Sequence, residues 1–232
     1  ILKLIKYAHC IGLWTNLITN GTLIDRTLAH KLKKSGLSSS QVSIEGPDSE
    51  IHDRLTGVTG SFTKTVTGVK YLIDAGIPVH TNTTVSRDNI ESLERIVRLA
   101  KNLGLARLSM NLLIPCGSAV HRKDLWLSYT EIGDYILNVK HLADTIGVKF
   151  LWYSPVPICK FNPISHGLGN KSCAAVSGLL SIDPVGNVLP CSSWTMPIGS
   201  LLNENFDKVW NSVEAGYFKK LQYAPETCQD CE

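Results

Sequence analysis

No stretch of this sequence approaches the ~18 consecutive apolar residues that a membrane-spanning helix needs, and no membrane partner is expected. The opening residues, Ile1-Leu2-Lys3-Leu4-Ile5-Lys6, lack the long apolar run of a secretory signal. The first residue is not methionine, and the last lies one position after a Cys-x-x-Cys. Both ends are read as cuts in a longer chain. Charge of one sign is also scarce. A net charge of +3 gives no ground for a nucleic-acid or membrane partner. Internal repeats and low-complexity tracts are missing. Apolar residues make up 44% and charged residues 19%, which excludes disorder and fits a globular chain. At roughly 100–200 residues per domain, 232 residues allow one large domain or one domain and a smaller module.

Cysteine is not scarce. There are seven, an odd number, and four fall in the last 60 residues. A secreted disulfide scaffold is usually smaller and denser in cysteine. Clustered thiols in such a chain point to metal or redox chemistry.

The first two-thirds alternates strand and helix patterns. Strands are expected at 14–19, 41–44, 78–85, 106–113 and 149–152. Helices are expected at 24–35, 61–75, 89–103 and 130–146. The turn dipeptides Asn20-Gly21 and Gly46-Pro47 stop the first two strands. Val66, Val69, Leu72 and Ile73 recur at helical spacing after Ser61, read as an N-cap. The alternation reads as βαβ units around a parallel sheet, with binding residues gathered at the strands' C-terminal rim. After Tyr153 the pattern changes to a Pro- and Gly-rich linker. A hairpin over 179–191 follows, turning at 184–187, and then a short amphipathic helix at 202–210.

Cys173 precedes the hairpin and Cys191 ends it, so an antiparallel pairing brings them toward one metal centre. Cys228-Gln229-Asp230-Cys231 has the spacing of a metal-gripping knuckle. Thiolates suit zinc and iron–sulfur clusters alike. Cys10, Cys116 and Cys159 are expected as buried small apolar residues. At the rim stand Thr19-Asn20-Gly21-Thr22, Ser43-Ile44-Glu45-Gly46 and Thr81-Asn82-Thr83-Thr84. Polar side chains in apolar strands are costly unless satisfied, so this set points to a ligand with hydroxyl, amino and carboxylate groups. His52-Asp53-Arg54 is read as a solvated loop with a helix cap, in which Arg54 is able to hold a carboxylate bidentately.

These motifs in order, Thr19-Asn20-Gly21-Thr22-Leu23, Val42-Ser43-Ile44-Glu45-Gly46-Pro47, His52-Asp53-Arg54 and Gly60-Ser61-Phe62, resemble radical S-adenosylmethionine (radical SAM) enzymes. The subgroup resembled carries a SPASM extension and includes sulfatase-maturing enzymes and peptide maturases. The likeness spans residues 1–150. Its second-strand motif usually has Asp where Glu45 stands. The extension opens with a cysteine, a glycine nine to fifteen residues on, and a second cysteine after four more, which Cys173, Gly186 and Cys191 match. A Cys-x-x-Cys should follow, as Cys228 and Cys231 do. The family's Cys-x-x-x-Cys-x-x-Cys and Gly-Gly-Glu-Pro motifs are not in this sequence. They are expected upstream of Ile1, so this piece alone is expected to be inactive.

The resemblance implies an α/β fold: a partial (β/α)6-type radical SAM barrel over residues 1–152, a linker over 153–170, and a cysteine-containing hairpin and helix domain over 171–232. It implies S-adenosylmethionine and 4Fe–4S clusters as cofactors, one cluster with ligands upstream of this chain. Ser43 and Asn82 would make polar contacts to SAM, with Thr84, Thr19 and Asn20 beside them. Arg54 would meet the carboxylate, and the backbone at Pro115 and Gly117 the adenine. Cys173 and Cys191 would ligate one auxiliary cluster; Cys228 and Cys231 would ligate a second. The implied activity is a 5′-deoxyadenosyl radical abstracting hydrogen from a peptide or protein side chain. An electron donor such as flavodoxin or ferredoxin and a cytoplasmic location go with it. Two rivals stand beside this reading: a radical SAM step in tetrapyrrole or cofactor synthesis, and a non-catalytic iron–sulfur or zinc protein.

Overall fold

The computed structural model describes residues 1–229, so Cys231 lies outside the described residues. The chain forms two compact units. One comprises Ile1–Leu113 with Arg122–Lys171; the other comprises Ile114–His121 with the chain from Ser172 onward.

The first unit opens with helix α1 (Leu2–Cys10) and then alternates strand and helix. The order is β1 (Asn16–Thr19), α2 (Arg26–Lys34), β2 (Ser39–Ser43), α3 (Ser49–Thr56), α4 (Ser61–Asp74), β3 (Val79–Val85), α5 (Leu93–Asn102), β4 (Arg107–Leu112), α6 (Gly133–Ile146) and β5 (Lys149–Trp152). All five strands are parallel and lie in sequence order. This is the partial (β/α) barrel that the resemblance implies.

Strand residues alternate between faces. Val42 and Ile44, Val85, Leu108, Met110 and Leu112, and Phe150 and Trp152 share one face. They form one core with Leu32, Val69, Leu72, Leu93, Ile96 and Ile136 from the helices. Each fully buried Leu or Ile contributes about 1.5–3 kcal/mol. The opposite face carries Gln41, Ser43, His80, Asn82, Thr84, Ser109 and Asn111. Parallel sheets are normally apolar on both faces, so a polar face marks where a polar ligand belongs.

Local chemistry sets the joints. Asn20-Gly21 turns the chain out of β1, with Gly21 at φ +75°. Asp25 caps α2 by accepting from the Leu28 N–H at 2.6 Å. Asp48 caps α3 through the Ile51 N–H at 3.1 Å, and Gly57 closes it at φ +70°. His52-Asp53-Arg54 therefore lies on a helix rather than in the expected loop. Only His52 of α3 is buried, so no apolar stripe announces the helix. Ser61 is the first residue of α4, and Gly60 takes the capping position.

The second unit holds a three-stranded antiparallel sheet, β6 (Ser181–Ile182), β7 (Asn187–Leu189) and β8 (Gly199–Ser200). Asp183 builds the hairpin turn: its carboxylate accepts from the Val185 and Asn187 N–H groups at 3.0 and 2.9 Å. Helices α7 (Phe206–Trp210), α8 (Val213–Lys219) and α9 (Glu226–Gln229) follow. Val188 and Ile198 pack with Val209, Ala215 and Phe218 in a small core. The helix expected at 202–210 is shorter because Asn205 caps α7 at the Lys208 N–H. Cys10 and Cys159 are exposed and Cys116 is half-buried, which corrects the expectation that they fill cores. They sit at a helix end and in loops, where no apolar layer covers them.

Candidate cofactor site and cysteine-bearing unit

Beyond the C-terminal ends of β1 and β2 lies a cavity of about 260 Å³. Asn20, Thr22, Ser43, Glu45, His52 and Lys64 line it. Asn20 is placed by its own turn: its side-chain oxygen accepts from the Thr22 N–H at 3.1 Å and the Thr22 hydroxyl at 3.0 Å. Thr65 of α4 donates its hydroxyl to the Asn20 carbonyl at 2.8 Å. Gly68 allows this approach, since a Cβ there would stand 2.2 Å from the Gly21 carbonyl oxygen. The Thr19 hydroxyl accepts from the Gly21 N–H at 3.0 Å, so it shapes the turn.

Glu45 is the carboxyl group of the rim. Its carboxylate accepts from the Thr84 N–H at 2.8 Å, which joins the end of β2 to β3. Burial pushes its pKa up to about 7, and the Thr84 hydrogen bond opposes this only in part. Behind it, the Glu45 N–H donates to His52 Nδ1 at 3.1 Å. Burial lowers the His52 pKa, so the ring is a neutral acceptor. Asn89 completes the joint. Its side-chain amide donates to the carbonyls of Glu45 and Thr84, both at 2.9 Å, and accepts from the Ser86 N–H at 2.9 Å.

Asp53 works as a cap across space. Its carboxylate accepts from the Gly60 N–H at 2.6 Å, the Ser61 hydroxyl at 2.9 Å and the Phe62 N–H at 2.8 Å. The Phe62 hydrogen bond is the largest cause holding its pKa below the ordinary carboxylate value. Asp53 thus fixes the start of α4, which brings Ser61, Lys64 and Thr65 to the cavity.

Across the polar face, Ser43 stands beside Asn82, and Asn82 beside Ser109. The Ser109 hydroxyl donates to Asn82 Oδ1 at 2.8 Å, and Asn82 Nδ2 donates to Asn111 Oδ1 at 2.6 Å. The structure therefore brings Asn20, Ser43, Asn82 and Thr84 to one rim. It does not bring Arg54 into the cavity: Arg54 is exposed and pairs with Asp88 at 3.8 Å. Pro115 and Gly117 fall in the segment that clusters with the second unit. Sequence reasoning missed His52, Asn89, Ser109 and Asn111 as parts of the site. Ser109 and Asn111 were legible as polar residues alternating within an apolar strand.

The rim's donors fit a ligand of the S-adenosylmethionine type. Hydroxyls of Ser43 and Thr22 and amides of Asn20 and Asn82 match amino, carboxylate and ribose groups in kind. In the second unit, Cys173 is exposed, Cys191 is half-buried two residues after β7, and Cys228 is exposed on α9. Burial, and then a hydrogen bond with Cys173, raise the Tyr223 pKa. Among the described residues no three His, Cys, Asp or Glu side chains converge as a metal-binding group. The thiols fit an iron–sulfur cluster in donor type, but the described residues do not complete a ligand set.

The radical SAM superfamily matches residues 1–100, and an iron–sulfur cluster-binding domain, SPASM, matches residues 173–232. An AdoMet-dependent heme synthase of Nitratidesulfovibrio vulgaris is 30% identical over all of this chain and 67% of its own length. A PqqA peptide cyclase of Ruegeria pomeroyi is 28% identical over all of this chain and 63% of its own length. The crystal structure of Streptococcus suis SuiB bound to S-adenosylmethionine superposes with a TM-score of 0.80 at 16% identity, covering 99% of this chain and 56% of that one. The chain thus spans about two-thirds of these curated relatives and little more than half of SuiB. Among the described residues no helix is long and apolar enough to cross a membrane. The chain belongs to the radical SAM superfamily, and from Cys173 onward it carries that superfamily's SPASM iron–sulfur domain.

Proposed function

We propose that the whole protein modifies a side chain of a peptide or protein by radical SAM chemistry, with SAM held at the rim of β1–β4. The observation that carries this is the polar face of an otherwise ordinary parallel sheet, ending at the Asn20–Ser43–Glu45 cavity. A reduced 4Fe–4S cluster and SAM, when bound, supply a 5′-deoxyadenosyl radical that takes a hydrogen atom from the substrate. The residues of this chain bind and orient. Ser43 and Asn82 offer a hydroxyl and an amide on neighbouring strands, and Asn20 and Thr22 line the cavity that Ser43 also lines. Thr84 and Asn89 hold the Glu45 carboxylate and backbone in place. Cys173, Cys191, Cys228 and Cys231 would ligate auxiliary clusters together with further ligands.

The peptide reading is supported by the PqqA peptide cyclases and by SuiB solved with its precursor peptide. A second reading, a radical SAM step in tetrapyrrole or cofactor synthesis, is favoured by the heme synthase at 30% identity. Anaerobic incubation of the reconstituted full-length protein with SAM, dithionite and either a gene-neighbour peptide or an iron porphyrinoid tests both. The first reading expects peptide mass loss with stoichiometric 5′-deoxyadenosine. Turnover of the porphyrinoid alone would establish the second in its place.

A further inference from the structure

The second unit holds a cavity of about 430 Å³, lined by residues of the segment after β7 and of α8 and the turn beyond it. That is a volume typical of ligand pockets, which are mostly apolar and aromatic with a few polar groups. Phe218 and Ile198 belong both to this lining and to the unit's small core, so that side of the cavity is well supported. The ring planes of Trp194 and Tyr217 stand at 85° and 88° to that of Phe218, with centroids 5.2 and 5.3 Å from it. Edge-to-face contacts of this kind help to hold the rings in place. Trp194 and Tyr217 are each 39% exposed, so both rings keep open surface. Glu214 is the one charged residue of the lining. It is exposed, and among the described residues it forms no ion pair. Gln222 joins it through the turn that ends α8, where its N–H donates to the Tyr217 carbonyl at 3.0 Å. The cations Lys219 and Lys220 line a neighbouring cavity instead, and Lys219 is held at Trp210, over its ring and by its carbonyl.

We propose that this cavity anchors a lysine side chain of the substrate peptide or protein. The proposal deepens the peptide reading and rests on it. Aromatic faces attract a cation through their quadrupole, and the attraction grows as water is excluded. A lysine side chain is an apolar stem that ends in a compact ammonium with three donors. Met196, Ile198 and Val213 match the stem in kind. The Glu214 carboxylate, the Tyr217 hydroxyl and the Gln222 amide oxygen supply acceptors for the head. A neutral apolar side chain would leave all three unpaired, and an acidic one would meet Glu214 as a like charge. Charge complementarity therefore selects a basic occupant. A peptide is flexible, so one anchored lysine would raise the effective concentration of its reacting residue without touching that residue.

The test uses reconstituted full-length protein and a photoreactive probe, an acetylated hexapeptide of glycine and alanine that holds one lysine beside a photo-leucine. A twin carries norleucine in place of lysine. Irradiation over a concentration series, followed by tryptic mass mapping, should place the lysine probe saturably on segments 194–198 and 213–222. The twin should need at least about threefold more peptide for half-saturation, the scale of an exposed ion pair or cation–π contact. Glu214→Gln, at an exposed position, should weaken the lysine probe by about the same factor. It should leave the twin unchanged, which also shows that the variant is folded. Labelling elsewhere, equal half-saturation for the twins, or an unmoved lysine probe in Glu214→Gln would overturn the proposal. So would a cavity already filled in the full-length protein, by the rest of its chain or by a second copy, read as no labelling of either segment. Failure of the underlying reading shows separately, as wild-type protein that turns over the iron porphyrinoid alone and causes no peptide mass loss.

Discussion

Replacing Asn89 with alanine should uncouple the rim from the sheet. Asn89 is 1% exposed and holds three hydrogen bonds of 2.9 Å, to the carbonyls of Glu45 and Thr84 and from the Ser86 N–H. At about 1 kcal/mol net for each, the loss is about 3 kcal/mol. Two carbonyls and one N–H stay behind at a part-buried joint, and an alanine cannot bring water to all three. Asn89→Asp sharpens the test. It keeps the acceptor for Ser86 but sets a carboxylate oxygen against two carbonyl oxygens, so it should lose at least as much. A urea titration followed by tryptophan fluorescence reads the effect as a fall in midpoint of about 1.5 M at a slope of about 2 kcal/mol/M. SAM affinity should fall with it, because Glu45 and Thr84 adjoin Ser43 and Asn82. A loss under about 1 kcal/mol for both variants, with SAM affinity intact, would refute the reasoning.

Glu45→Gln should flatten the pH dependence of stability. The folded pKa, about 7, lies above the ordinary 4.5. Ionising this group therefore costs stability as pH rises from 4.5 to 7, and removing the charge should raise stability at neutral pH relative to wild type. Denaturation midpoints at pH 5 and pH 8 measure this. Gly68→Ala drives a Cβ to within 2.2 Å of the Gly21 carbonyl, so it should cost about 2 kcal/mol and weaken SAM binding by moving Asn20. Thr83→Val strips the 2.6 Å bond to the Ile44 carbonyl and should cost about 1–2 kcal/mol in the same titration. Cys173→Ala and Cys191→Ala should each lower the iron content of the full-length protein by about one 4Fe–4S cluster, leaving a SAM-responsive EPR signal in place.

The sheet was legible because β2 and β4 alternate apolar residues with polar ones toward their C-terminal ends. Val42 and Ile44 against Gln41 and Ser43 is such a case, as is Leu108, Met110 and Leu112 against Ser109 and Asn111. Helices with an apolar stripe, such as that of Leu93, Ile96 and Val97, were legible for the same reason. Helix α3 was not, since it buries His52 alone. Its Asp48 cap and Gly57 terminator bound a segment with no apolar stripe between them. The candidate rim was readable as turn and strand-end motifs. Its supports were not: Asn89 and Asp53 act across 44 and 7 residues of chain, on partners that only the fold brings near. Arg54 looked free to hold a carboxylate until folding set it beside Asp88. Cysteine chemistry misled where burial was inferred from residue type, because Cys10 and Cys159 sit where no layer covers them.

The central claim is that this chain is part of a SAM-cleaving iron–sulfur enzyme. EPR of the anaerobically reconstituted full-length protein, reduced with dithionite and recorded with and without SAM beside iron and sulfide analysis, tests it most directly. The account expects 4Fe–4S clusters, one of which changes its spectrum when SAM is added, and a loss of that change in the Ser43→Ala, Asn82→Ala double variant. Zinc in place of iron at the C-terminal cysteines, or clusters indifferent to SAM, would contradict it.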